Sequence, residues 1–274
     1  MSVWLCLLIV VMCVGLGITV MLLVRRRAPD GSWFTDGDRA SGVFGVLATG
    51  FAVLLGLVVV LAFTSFDQSR SGAETEALLV NQQYETAQFM PKEQRQVLSG
   101  ELVCYSRSVV YQVWPKMEAG TQGDALNPWA VEMFKTVKKI DPQTPAAQAA
   151  YSKWLDQTTD RESARNDRLH GASGVIPRSL WIVLIFSALV IFWFMLLFAD
   201  SGEPWFVQAT LMGSVVAVVV SSLLLIAVLD KPFHRGIGSL KPVAMERTLK
   251  VLDEERATAP AGTLPCDAKG LPTT

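Results

Sequence analysis

Ionisable residues are missing from four long stretches of this chain. Val3–Val24, Gly42–Phe66, Leu180–Ala199 and Trp205–Leu229 contain no Asp, Glu, Lys, Arg or His. Each approaches or exceeds the roughly 20 apolar residues that a helix needs to cross a bilayer core. Charge-free spans argue against coupled transport, because ion-coupled carriers place ionisable groups within their membrane helices. No inverted repeat of broken helices is visible either. Histidine is scarce: His170 and His234 are the only two, and neither has a partner at metal-binding helical spacing. There is no C-x-x-C pair, nucleophile elbow or phosphate loop, so an enzyme, a metal centre or a bound cofactor is not expected. Glu74 and Glu76 stand two apart and point to different faces of a helix, so they are not a ready carboxylate pair. The formal net charge of -1 gives no general attraction to nucleic acid.

Cysteine is also sparse. Cys6 and Cys13 fall inside the first apolar run and read as buried apolar thiols. Cys104 and Cys266 lie outside the runs. A bond between them requires both to face an oxidising compartment.

What is abundant is apolar residues, at 51% of the chain. The pattern predicts an all-α integral membrane protein with four transmembrane helices and a helical extramembrane insert between helices 2 and 3. Residues 1–66 hold the first two spans, 67–178 the insert, 179–230 a transmembrane hairpin, and 231–274 a C-terminal segment that is largely disordered after about 257. Val3–Val24 is too long for a signal sequence and is followed by Arg25-Arg26-Arg27, so it reads as a retained span. Membrane lipid is the surrounding medium.

The insert is about 110 residues long, the size of a small domain. A helix is expected to continue span two from Asp67 to Phe89. A second should run from Pro91 to about Val113. A third should be capped by Asn127-Pro128 with Phe134 and Val137 inward, and a fourth capped by Thr144-Pro145 and stopped near Gly171. Trp114-Pro115 and Gly120–Asn127 read as loops. Arg161, Arg165 and Arg168 share a helical face. The acids Asp156, Asp160, Glu162 and Asp167 among them predict a solvated, salt-bridged surface. A helix over Met245–Arg256 should precede the disordered tail.

Two spans carry rows of small residues. In span four, Ala209, Gly213, Ala217 and Ser221 recur every fourth position and form one stripe. In span two, Ala48, Ala52 and Gly56 form another, with Phe44, Phe51 and Leu55 on a neighbouring strip. Without a hydrophobic force between helices in lipid, small side chains mark where backbones approach, so these rows are candidate helix-packing or pore-lining faces. Span three, rich in Phe and Trp and lacking Gly, reads as lipid-facing. Asp67 and Asp230 stand at same-side exits of spans two and four, with Arg70 one turn from Asp67. They predict an ion-pair cluster or, alternatively, independent solvated charges.

Four spans place the termini and the insert on one face and the two short connections on the other. Arg25, Arg26, Arg27 and Arg39 pull their connection into the cytoplasm. Arg70, Arg161, Arg165, Arg168, Arg178, Lys231, Arg235, Lys241 and Arg247 pull the opposite face there. Nine against four predicts a cytoplasmic insert and cytoplasmic termini, in a multi-pass protein of the cell (inner) membrane. A Cys104–Cys266 bond would contradict that orientation.

The order of several short motifs resembles the bacterial bestrophin-like domain family over roughly residues 3 to 250. They are Phe51-Ala52-Val53-Leu54-Leu55, Phe66-Asp67-Gln68-Ser69-Arg70, Glu76-Ala77 and Tyr105-Ser106-Arg107-Ser108-Val109. Trp114-Pro115-Lys116-Met117, Ile176-Pro177-Arg178-Ser179-Leu180-Trp181 and Leu229-Asp230-Lys231-Pro232-Phe233 complete the set. The family usually carries an acidic residue before its Trp-Pro, where this chain has Val113. The resemblance implies distant similarity to bestrophins, pentameric chloride-conducting channels with cytosolic termini. It therefore implies a homo-oligomer, a pentamer by analogy alone, that conducts anions.

Two functions fit the sequence. An oligomeric anion channel would draw its path from the small and hydroxyl side chains of spans two and four, with Arg70 or Arg178 at the mouth. A membrane-anchored scaffold or stress-response sensor would instead bind a partner on the insert and keep a dry bundle.

Overall fold

Four helices form where the four apolar runs lie, because a backbone in lipid must satisfy its own hydrogen bonds. The computed structural model describes residues 2–121, 126–258 and 263–273. Its membrane helices are α1 (Val3–Arg25), α2 (Gly37–Ala87), α7 (Arg178–Leu197) and α8 (Trp205–Leu229). Between α2 and α7 come α3 (Lys92–Ser108), a π turn (Val109–Val113), α4 (Trp114–Glu118), α5 (Pro128–Val137) and α6 (Pro145–His170). Helix α9 (Val243–Thr258) follows α8. No β-strand occurs among the described residues, whose one isolated bridge joins Cys266 and Pro272. The 51 residues of α2 contain no proline, so nothing in the sequence breaks the helix between Gly37 and Ala87.

The chain divides into two compact units. Unit 1 comprises Met1–Thr64, Val175–Asp230 and Gly236–Gly238. Its helices bury Phe51 and Val58 of α2 against Leu184 and Ile191 of α7 and Ile226 of α8. At one end its two short connections are laced together. Arg25 donates to the carbonyls of Ser201 and Glu203, and Asp200 accepts from the Gly31 N–H at 3.0 Å and the Gly202 N–H at 2.7 Å. Those two N–H groups hold the Asp200 carboxyl below its ordinary value. Ser201 also donates to Asp30. At the other end Asp230 accepts from the N–H groups of Val175 (2.8 Å) and Ile176 (2.9 Å), just ahead of α7.

Unit 2 comprises Ser65–Gly174, Lys231–Arg235 and Ser239–Thr274. Its helix starts follow local cap chemistry. Asn127 accepts from the Trp129 N–H, and Thr144 from the Ala147 N–H. Its core gathers Val80, Tyr84, Leu98, Leu102, Tyr105, Met117, Trp129, Trp154 and Phe233.

Four expectations need correction here. Trp114-Pro115 is helical. The π turn just before it closes with the Trp114 N–H donating to the Val109 carbonyl, and Pro115 sits in the first turn of α4, where its missing N–H is tolerated. Phe134 is exposed. Trp129, Met133 and Val137, spaced by four, form the inward row of α5 instead. Span three is not wholly lipid-facing: Phe194 and Phe198 pack with Phe34 and Phe44. Residues 265–273 are ordered. Pro265 packs at Gly100, Trp129 Nε1 donates to the Gly270 carbonyl at 2.7 Å, and Cys266 is disulfide-bonded to Cys104. That bond is at odds with the expected cytoplasmic insert, since thiols are kept reduced there. The expected Gly120–Asn127 loop and the start of the expected tail fall partly on 122–125 and 259–262, outside the described residues.

Candidate functional site

The two small-residue rows have different environments. On α8, Ala209 and Gly213 are buried, Gly213 against α1. A Cβ added at Gly213 would stand 3.3 Å from Ile18 Cδ1 and 3.5 Å from Val14 Cγ1. Across the seam, a Cβ at Gly17 would stand 3.1 Å from Val216 Cγ2. Gly17 and Gly213 thus let α1 and α8 approach closely, and the Ala209–Gly213 half of this row is buried within the chain. Ala217 is half-buried and Ser221 exposed.

On α2, Phe44, Phe51 and Leu55 turn into unit 1. Phe51 is buried, and Phe44 stacks on Phe194 with centroids 5.6 Å apart. Ala48 is half-buried beside them, while Ala52 and Gly56 are exposed. They continue a row that sequence reasoning began too late. Gly42, Gly45, Thr49, Ala52 and Gly56 are all exposed, and their spacing of 3, 4, 3 and 4 keeps them on one face. Apart from the adjoining residues and backbone of α2 itself, no described atom lies within 4 Å of a Cβ built at Gly42, Gly45 or Gly56. This face stands about a third of a turn from the buried one. The large exposed residues Val46, Val53 and Leu57 form a separate stripe beside it. The signal for the missing members was the 3-4 spacing, since a strict every-fourth reading stops at Ala48.

Unit 2 holds a buried charge network where the sequence predicts a solvated face. Arg161 and Arg168 are 2% and 1% exposed. Arg168 meets Glu76 of α2 in a two-point pair, Nε to Oε2 at 2.5 Å and Nη2 to Oε1 at 3.1 Å. Tyr105 donates its hydroxyl to the same carboxylate at 2.6 Å. Burial works against the Arg168 charge, but the Glu76 carboxylate outweighs it and holds the guanidinium above its ordinary value. Burial, reinforced by Glu76, pushes the Tyr105 hydroxyl far up, so it stays a donor. Arg161 donates to Gln83 Oε1 at 2.7 Å and stacks on the Tyr105 ring at 4.8 Å. Trp114 lies beneath the Arg168 guanidinium at 5.9 Å. The Glu76, Tyr105 and Trp114-Pro115-Lys116-Met117 motifs therefore converge on one arginine. The approach of α2 to α6 is set beside it by Gly72 and by Ser69, whose Oγ accepts from the Gly171 N–H.

Of the charges expected to cluster at the membrane exits, Arg70 and Asp230 have other partners. Arg70 pairs with Glu74 at 3.1 Å on the exposed side of α2, Asp67 is exposed, and Asp230 caps the approach to α7. Arg165 is half-buried and Arg178 is exposed.

Glu101 on α3 is the other notable carboxyl of unit 2. Its Oε1 accepts from Thr136 at 2.9 Å, and its buried Oε2 has no hydrogen-bond partner. Burial pushes its pKa up from 4.5 to about 7. Thr136 and Lys139 oppose the shift, and Glu132 adds to it. The unfolded chain ionises near 4.5 while the folded one keeps its proton to about 7, so stability falls as pH rises through that window and then levels off. We expect Glu101→Gln to unfold at a higher temperature than the parent at pH 8, and the gap to close below about pH 4.5. Thermal unfolding of both proteins across that range checks this.

The family model of the bestrophin-like domain matches residues 4–245. Among solved structures, a bacterial bestrophin homologue from Klebsiella pneumoniae superposes with a TM-score of 0.67 at 14% identity, covering 94% of this chain and 100% of that one. A point variant of the Klebsiella pneumoniae homologue gives a TM-score of 0.69 at 12% identity, with 89% and 98% covered. At these identities the likeness establishes the fold. No curated protein matches the sequence.

Proposed function

Because the chain belongs to the bestrophin-like domain family, and is thereby a multi-pass membrane protein of channel-like fold, we propose that it forms a homo-oligomeric anion channel. The reading places it in the cell (inner) membrane. One observation carries it. The small-residue face of α2 is left uncovered by the described residues, whereas Gly213 in the corresponding row of α8 is closed over by Val14 and Ile18 of α1. Copies assembled around that face would line an axis with Gly42, Gly45, Thr49, Ala52 and Gly56. These residues leave room for a path and offer no fixed charge along it. The Phe44 and Phe51 rings support the wall from behind. Exposed Arg178, at the first turn of α7, is the charge that attracts anions toward the span ends.

The test is current from purified protein in a planar bilayer under asymmetric chloride. Discrete steps that reverse near the chloride equilibrium potential are the expected result. Reversal near the cation potential would sink the anion reading. Silence from a folded oligomeric sample, at every voltage and pH tried, would sink the channel.

A further inference from the structure

We propose that the insert, the N-terminus and the C-terminal segment lie outside the cytoplasm, on the oxidising side of the membrane, with the arginine-bearing connection between α1 and α2 inside. The proposal stands whether or not the assembly conducts.

The first observation is the pairing of Cys104 with Cys266 across 162 residues of sequence. Both cysteines are buried, one on α3 and one in the segment that ends the described chain. Their meeting is built into the fold around them. Arg107 donates to the Asp267 carbonyl, Gln112 to that of Lys269, and Trp129 to that of Gly270. Asp267 closes a tight turn by accepting from the N–H groups of Lys269 and Leu271, both at 2.8 Å. Gly270 sits at φ +79, and a Cβ there would stand 2.4 Å from the Ser108 backbone nitrogen. The segment is thus a fitted strap that presents Cys266 to Cys104. A disulfide at such a place forms and persists in an oxidising compartment and is kept reduced in the cytoplasm.

The second observation is the distribution of arginine. Arg25, Arg26 and Arg27 directly follow the first span, and Arg39 precedes the second, all within one short connection. Short connections and the first helix carry most weight in setting orientation, whereas a long loop translocates largely regardless of its charge. The insert is such a loop, so Arg70, Arg161, Arg165, Arg168 and Arg178 carry less weight than the arginines of the short connection. Lys231, Arg235, Lys241 and Arg247 pull the other way, but only after three spans have been placed. Four spans return the chain to its starting side, so fixing one connection fixes every segment. The cytosolic termini of bestrophins are therefore not carried over to this chain.

Two measurements on the full-length protein in a Gram-negative host test this together. The first counts thiols after acid quenching and denaturation. Two should react with a mass-tagged maleimide before reduction, Cys6 and Cys13, and four after it. The second adds a charged, membrane-impermeant maleimide to intact spheroplasts bearing Gln143→Cys or Thr35→Cys, with the unsubstituted chain as blank. Gln143 is exposed on the insert and Thr35 is exposed in the short connection. Gln143→Cys should label from outside, and Thr35→Cys only after permeabilisation. Four thiols free without reductant, the reverse labelling pattern, or equal labelling of both sites would each overturn the proposal.

Discussion

Arg168→Met should destabilise unit 2 by about 3–5 kcal/mol, the usual cost of leaving a buried charge without its partner. The affected group is Glu76, which is wholly buried and would keep only the Tyr105 hydroxyl as a donor. The pair itself need not be a net source of stability, because both ions lost their water on folding. That distinction makes the prediction sharp. Replacing both partners, with Glu76→Leu added to Arg168→Met, should recover much of the loss, so the double variant is more stable than Arg168→Met alone. Thermal unfolding of the full-length protein followed by tryptophan fluorescence reads this directly, since Trp114, Trp129 and Trp154 are buried in unit 2. If Arg168→Met unfolds within about 0.5 kcal/mol of the parent, as surface substitutions do, the buried pair is not what the geometry says it is.

Gly72→Ala is the second large effect. In an isolated helix this change would gain about 1 kcal/mol of helix propensity. Here the new Cβ would stand 2.4 Å from the Arg168 backbone nitrogen and 2.7 Å from the Ala164 carbonyl oxygen. Backbone atoms of a packed helix cannot swing aside as a flexible side chain would, so α6 must move away from α2. Overpacking of this kind costs about 1–3 kcal/mol. It would also lengthen the Glu76–Arg168 contacts, which lie one turn along α2. Loss of stability, opposite in sign to the propensity change, is the expected result in the same unfolding assay. A gain would show that α2 and α6 are further apart than the structure has them.

These two residues also show where sequence reasoning reached and where it stopped. The four membrane helices were legible because lipid admits no unsatisfied backbone and almost no charge, so long apolar runs have one outcome. Cap residues such as Asn127 and Thr144 were legible because they act locally. Arg161 and Arg168 were not. Mixed acids and bases along a helix look the same whether the partner is solvent or a carboxylate far away in the chain. The partner of Arg168, Glu76, lies 92 residues away. Gly72 belongs to no motif that predicts its role, because only the helix crossing it reveals what a Cβ would meet. The segment after Leu264 looked disordered because Ala, Pro, Gly and Thr dominate it. Cys266 was the signal to the contrary, and it needed Cys104 beside it to be read.

The α2 face was half legible. Ala52 and Gly56 were singled out for their size, but Phe44, Phe51 and Leu55 were grouped with them as candidates for one site. The structure separates the two sets: the large residues brace unit 1 and the small ones face outward. A pore reading now rests on the small set alone.

The most direct test of that reading is chloride current through Ala52→Cys and Val46→Cys in a planar bilayer, before and after a charged thiol reagent in the water phase. Ala52 lies in the small-residue row, and Val46, 74% exposed, lies on the large apolar stripe beside it. The account predicts that the reagent cuts current through Ala52→Cys and leaves Val46→Cys and the parent unchanged. Current through Ala52→Cys that ignores the reagent, in a sample shown to be conducting, would contradict it.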